Sequence, residues 1–291
     1  MLKANFFVDV GMPDEMQQSY YQYDKLVGKE AETCACKFMR NNEDFQSVLD
    51  QLHQFSNKNV SVYTLDLMFL FSCTGYLYDD YKARNVSDEI FINTMKDILY
   101  KTEECRKVKN VFGVFTIQWY EGFLKMQRFA FNRLQFDIWE KHTNEMAFGK
   151  YQITPDQFSL NCHIPSSGPL DYDAVIQSYQ MAYEFFKEKI TDGILPIFCN
   201  SWLLYPLYKK IFKQNSPNIT KFISDFKIYE SDKSETFFDA WRIFGMDYDG
   251  DTFHLPRKTR LQKGFIEYIN SGGSFGTGKG VLLFDGKNPV Q

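Results

Sequence analysis

The rhythm of apolar and polar positions changes once along this chain, near residue 115. Up to about Val114 apolar residues recur at helical intervals, and the spacing predicts helices over 13–26, 31–54, 64–83 and 88–109. In the third, Leu65, Met68, Phe69, Ser72 and Tyr76 share a side. The fourth has a marked start: Ser87 is placed to cap it, and Asp88 and Glu89 put negative charge in its first turn. From Phe115 onward the period shortens. Phe129 and Phe131, then Leu134, Phe136 and Ile138, alternate as strands do, with a slip that predicts a turn or bulge at Asn132-Arg133.

The stretch 157–206 reads as one unit. Phe158, Leu160, Cys162 and Ile164 alternate with Ser159, Asn161 and His163, which predicts a half-buried strand ending at Pro165. A Ser-Ser-Gly-Pro turn follows. Tyr172, Val175, Ile176, Tyr179, Ala182, Tyr183 and Phe186 then form a helical stripe, and Ile194 to Cys199 a second strand. Pro196 predicts that this second strand is an edge or begins only at Ile197. Strand, loop, helix and strand make a βαβ crossover whose loop is open to a ligand. Downstream, the pattern predicts helices over 207–212, 234–244 (capped by Ser234) and 257–269, and strands over 226–229 and 279–284. The glycine-rich run before the last strand, SGGSFGTGKG, predicts a flexible turn leading to an edge strand.

Composition narrows the class. Among 291 residues, 44% are hydrophobic and 24% charged, and 29 Phe and 18 Tyr supply material for a sizeable core. A net charge of -4 argues against a nucleic-acid-binding surface. No N-terminal stretch has signal-peptide order, and the most apolar window, 60–78, holds Asp66 and predicts a core helix, not a membrane span. The six cysteines show no zinc or redox spacing, so free buried thiols in a cytoplasmic setting are expected.

Several motifs touch on chemistry. Gly273, Gly278 and Lys279 match a phosphate loop formally, but Gly280 stands where a magnesium-holding hydroxyl belongs, and the loop leads into a strand. Asp247, Asp249 and Asp251 resemble the start of a calcium loop without its closing glutamate, which predicts a polar turn and no metal site. His163, on the polar face of its strand, is either a general base or a histidine held by a structural partner. Ser166, Ser167 and Gly168 lie between a strand and a helix N-terminus, where anions are attracted; Asp171 also suits that position as an ordinary cap.

His163-Ile164-Pro165, Gly168-Pro169-Leu170, Phe185-Phe186, Ser201-Trp202-Leu203-Leu204 and Arg133-Leu134-Gln135-Phe136 together resemble a bacterial family of two-domain acyltransferase-domain proteins. The resemblance covers roughly 129–284 and the helical half by general character. It implies an α+β fold: a helical N-terminal domain (1–118) followed by a GNAT-like mixed-sheet domain (119–291). It implies an N-acyltransferase that moves an acyl group from acetyl-CoA or another acyl-CoA to a small amine-bearing acceptor, with no nucleic-acid or membrane partner. On this chain it would make His163 the base and Tyr205 or Tyr208 the acid that protonates the thiolate, with core packing the alternative for both tyrosines. Ser166, Ser167 and Gly168 would receive the pyrophosphate, and Cys199, Asn200 and Ser201 would line the cofactor arm. Lys209-Lys210 and Arg257-Lys258 are candidates for the 3′-phosphate. Two departures from the family pattern bear on this: the pyrophosphate loop has one glycine, and Asn200 stands where a histidine is common. A non-catalytic acyl-CoA or small-molecule binding module is the alternative function.

Overall fold

A computed structural model describes residues 5–139 and 145–290. The chain divides into two compact units, Met1–Ala130 and Phe131–Gln291; the expected domain start at Trp119 lies inside the first.

Unit 1 is helical: α1 (Phe6–Val10), α2 (Asp14–Asn41), α3 (Phe45–His53), α4 (Val62–Ala83), α5 (Asp88–Lys109) and the short α6 (Glu121–Leu124). Leu65, Leu67, Met68, Phe69, Leu70, Phe71 and Cys73 of α4 are all buried, so this helix is apolar around its circumference because it is surrounded by protein. Among the described residues no helix is long and apolar enough to cross a membrane. The expected break between the first two helices moves. α2 runs through Gly28 without interruption and stops at Asn42, which is left-handed at φ 56°; Asp44 then starts α3 by accepting from the Ser47 N–H at 2.9 Å. The cap signals were thus at 42–44, and the glycine alone did not end the helix. Ser87 does cap α5, accepting from the Ile90 N–H at 3.3 Å.

The division between units falls inside strand β1 (Arg128–Phe131). Asn132, at φ 52°, makes the anticipated turn into β2 (Leu134–Trp139). A separate hairpin, β3 (Met146–Phe148) and β4 (Tyr151–Ile153), precedes β5 (Ser159–His163), α7 (Tyr172–Phe185) and β6 (Leu195–Ser201). After α8 (Lys209–Asn215) and α9 (Pro217–Ser224) come β7 (Lys227–Ser234), α10 (Ala240–Phe244), α11 (Arg260–Asn270), β8 (Phe275–Phe284) and β9 (Pro289–Val290). Within unit 2 the main sheet runs β2-β5-β6-β8-β7, with β9 on the end of β8; only β5 and β6 are parallel. A helical half followed by a mixed sheet is an α+β fold, and β5-α7-β6 is the predicted crossover.

Each strand gives alternate residues to two faces. On one face α7 covers the sheet: Tyr179 packs its ring on Phe136 and Phe284, above Cys162 and Cys199. On the other, Phe198, Val281 and Leu283 form a core with Phe148 and Ile153 of the hairpin.

Three expectations need correction. β6 is not an edge strand, since β5 and β8 flank it; Pro196 is accommodated because the β5 ladder begins only at Ile197. The glycine run makes the expected turn only at Ser271-Gly272; from Phe275 it is already β8, which is an interior strand between β6 and β7 and not an edge. Its alternate glycines are required by close packing: a Cβ on Gly278 would strike the Leu204 backbone, and one on Gly276 the Asp232 carbonyl and the Tyr205 ring. The helix expected over 234–244 shrinks to five residues because 227–234 is strand paired with β8, and Ser234 ends that strand instead of capping a helix.

Candidate active site

The register of the sheet assembles a polar stripe on the face away from α7. Gln135 lies opposite His163 and Asp137 opposite Asn161 across β2 and β5. Asn161 in turn stands beside Phe198, and Asn200 beside Lys279. Partners across a ladder share a face, so His163, Asp137, Asn161 and Asn200 all project to one side. The parallel pairing of β5 and β6 consists of two positions, Leu160–Ile197 and Asn161–Phe198. Beyond them β6 continues to Ser201 while β5 ends at His163, so the strands part next to the histidine.

His163 Nε2 lies 2.7 Å from Asp137 Oδ2 and 3.0 Å from the Asn161 amide nitrogen. Both side chains of the pair are about a fifth to a quarter exposed, which leaves them sheltered yet reachable. In the tautomer with its proton on Nε2, His163 donates to Asp137 and carries its ring lone pair on Nδ1. The polar stripe continues on the neighbouring strands, where Lys279 is held by Glu230 at 2.5 Å and Asp232 at 3.3 Å. Glu230 raises the Lys279 ammonium pKa above its ordinary value, chiefly through that hydrogen bond.

The expected cofactor loop is braced from outside. Arg133 donates to the carbonyls of Pro165, Gly168 and Pro169 at 2.9, 2.9 and 3.0 Å, spanning three backbone acceptors with one planar group. Gly168, at φ 117°, adopts a backbone that other residues rarely take. Ser166 and Gly168 are exposed and Ser167 is partly so. Asp171 caps α7, accepting from the Ala174 N–H at 3.0 Å, so a carboxylate already sits at this helix start.

The other predicted residues fall in different places. Cys199 is buried on the α7 face beside Cys162, whose thiol is pushed up by burial and by that neighbour. Ser201 closes β6 by accepting from the Leu203 N–H at 3.2 Å. Tyr205 is buried against the glycine face of β8, its hydroxyl 3.2 Å from Ser274 Oγ. Tyr208 is enclosed by Trp202, Phe212, Phe237, Phe265 and Tyr268, and burial pushes its phenol far above the ordinary value. Gly276 and Gly278 lie on the α7 face, so Tyr205 packs on the side opposite His163. Lys209 borders a cavity of about 540 Å³ with Leu203, Leu204, Phe212 and Ile223. Asp249 and Asp251 accept from the N–H groups two residues on, an ordinary use of such a run in a turn. Among the described residues no group of three or more His, Cys, Asp or Glu could hold a metal ion.

Asp137, Asn161 and Arg133 are the functional candidates that sequence reasoning did not assign. The alternation of β2 already put Asp137 on the polar side, but only the β2–β5 register brings it to His163.

A family model described as a GNAT-like C-terminal domain matches residues 129–282, and one described as an N-acyltransferase N-terminal domain matches 4–126. A search of curated proteins found no match. Solved structures that resemble the chain include an acyltransferase in complex with decanoyl-CoA and teicoplanin (TM-score 0.61, 19% identity) and an acyltransferase in complex with CoA and 10C-teicoplanin (0.62, 19%). A third is a mutant acyltransferase in complex with octanoyl-CoA (0.60, 18%). Each likeness covers 76% of this chain and 66% of the other, so this chain spans just under two thirds of those structures' length. At this identity the likeness establishes the fold.

Proposed function

Because the chain belongs to the family with a GNAT-like C-terminal domain preceded by an N-acyltransferase N-terminal domain, we propose that it transfers an acyl group from an acyl-CoA to an amine of a small-molecule acceptor. The observation that carries the reading is the Asp137–His163 pair on the face away from α7, next to the point where β5 and β6 part. The cofactor arm would enter where β5 and β6 diverge, with Cys199, Asn200 and Ser201 along one wall. Ser166, Ser167 and Gly168 would lie along the diphosphate, on a loop whose shape Arg133 holds. The similar structures were obtained with decanoyl-CoA, octanoyl-CoA and teicoplanin, which favours a medium-length acyl donor over acetyl-CoA and an acceptor of small-molecule class.

The chemistry requires a neutral amine, and His163 supplies the base. The amine nitrogen attacks the thioester carbonyl carbon, forming the C–N bond, and its proton passes to Nδ1. Asp137 stabilises the imidazolium through the Nε2–H. The tetrahedral intermediate collapses with cleavage of the C–S bond, and the imidazolium returns the proton to the leaving thiolate. This assignment does not call on Tyr205 or Tyr208, which are buried in packed surroundings.

Thermal unfolding with and without decanoyl-CoA or acetyl-CoA tests the donor. Ligand at 100 times its Kd adds about 2.7 kcal/mol and raises Tm visibly; no shift with any acyl-CoA at saturating concentration would sink the reading. Binding without thioester turnover across a panel of amines would favour the binding-module alternative, for which the Asp171 carboxylate at the α7 start and the single loop glycine speak.

A further inference from the structure

We propose that Asn200 is a catalytic residue of the acyl-transfer site: its side-chain amide donates to the thioester carbonyl oxygen and to the oxyanion that forms from it. The proposal rests on the acyl-transfer reading and assigns a task that the Asp137–His163 pair does not perform. A base takes the proton of the amine, but the negative charge that builds on the carbonyl oxygen needs a donor aimed at it.

The register places Asn200. The last ladder pairs of β5 and β6 are Leu160–Ile197 and Asn161–Phe198, so the positions that follow in phase are Cys162–Cys199 and His163–Asn200. Cys162 and Cys199 keep that phase on the α7 face, where both are buried and the Cys199 thiol helps to push up that of Cys162. His163 and Asn200 are therefore the first pair beyond the ladder on the opposite face. Each stays with its own half of the sheet: His163 is paired with Gln135 of β2, and Asn200 with Lys279 of β8. One lip of the parting carries the base and the other an amide, and a thioester laid between them meets both.

Asn200 is also the amide left uncommitted. Asn161 lies 3.0 Å from the His163 ring, Gln135 is 2% exposed, and Lys279 is held by Glu230 and Asp232. Asn200 is exposed, and its side chain has no hydrogen-bond partner among the described residues. An amide offers two N–H donors and no charge, so it can face a neutral carbonyl before reaction. As the C–N bond forms, the carbonyl π pair moves onto oxygen, and the hydrogen bond from Asn200 becomes charge-assisted and about twice as strong. That gain arises only as the reaction proceeds, which is the kind that speeds the step. When the C–S bond breaks, the pair re-forms C=O and the thiolate leaves.

The test compares decanoyl-CoA with S-decyl-CoA, a thioether that keeps the chain and lacks the carbonyl, by isothermal titration. The wild type should bind the thioester about 3- to 10-fold more tightly. That preference should vanish in Asn200→Ala and in Asn200→Asp, which keeps the shape without the N–H donors, and should persist in His163→Ala. In turnover with a small primary amine, both Asn200 variants should lose about 10²- to 10³-fold in kcat with little change in KM for the amine. Equal affinity of the wild type for thioester and thioether, a preference that survives in the folded Asn200 variants, or unchanged kcat in either would overturn the proposal. A wild type that shows the Asn200-dependent preference but forms no amide would instead overturn the acyl-transfer reading and the catalytic role with it, leaving the carbonyl contact in place. The wild-type comparison needs no variant and so decides even if both variants misfold.

Discussion

At the scale of single residues, two carboxylates have opposite relations to their surroundings. Asp137 is matched by His163, and in the proposed reaction it would hold the imidazole in one tautomer and orientation. Replacing it by asparagine should lower kcat by roughly 10- to 100-fold with little change in KM, and shift the acidic limb of the kcat–pH profile, where the base becomes protonated; a purely structural role would move stability and not the profile. Asp225 is instead a carboxylate that the fold penalises. Its folded-state pKa is raised from 3.8 to about 6, so ionising it costs stability. That cost is absent below about pH 4, grows as pH rises towards 6 and is fully present above it. Asp225→Asn should therefore raise Tm at pH 8 by an amount worth at most about 3 kcal/mol, and by little at pH 4; a destabilised variant at pH 8 would show that the charge is compensated in the apo protein. Residue by residue, the sequence made His163 visible because alternation placed it on the polar face of its strand. Its partner was not visible, because which residue of β2 meets which of β5 is decided by pairing across 26 positions of chain.

At the scale of elements, local signals predicted what local chemistry controls. Ser87 and Asp171 cap their helices as their residue types suggest, and Asn132 makes the turn at the slip in alternation. Errors arose where tertiary packing overrode a local cue. The glycines of β8 are present for the close approach of the Leu204 and Tyr205 segment, not for flexibility. Gly278→Val should cost on the order of 1–3 kcal/mol, read as a lower midpoint in urea, because backbone and not a flexible side chain must move. Arg133 is the bracing element of the loop after β5. Arg133→Ala should raise the KM for acyl-CoA more than it lowers kcat, and Arg133→Lys should fail to restore it, since one ammonium cannot span three carbonyls in a plane. Wild-type KM in the lysine variant would show that charge alone suffices there.

At the scale of the molecule, the shift from helical to alternating periodicity near residue 115 announced two parts, and the family matches assign a domain type to each. The α+β architecture was legible because β5, α7 and β6 keep their periods through the crossover. The order of strands around them depends on contacts far apart in sequence, as with β8 entering between β6 and β7. Function at this scale rests on one claim: an acyl-CoA thioester is opened at the parting of β5 and β6 with His163 as base. The direct measurement is release of free CoA thiol from decanoyl-CoA across a panel of small primary amines, with formation of the amide followed by mass, in the wild type and in His163→Ala. Amine-dependent thiol release that falls by about 10²- to 10⁴-fold in the variant, while decanoyl-CoA still raises its Tm, is the predicted result. Equal turnover by the two proteins, or binding of decanoyl-CoA with no amide formed from any amine, would contradict the account.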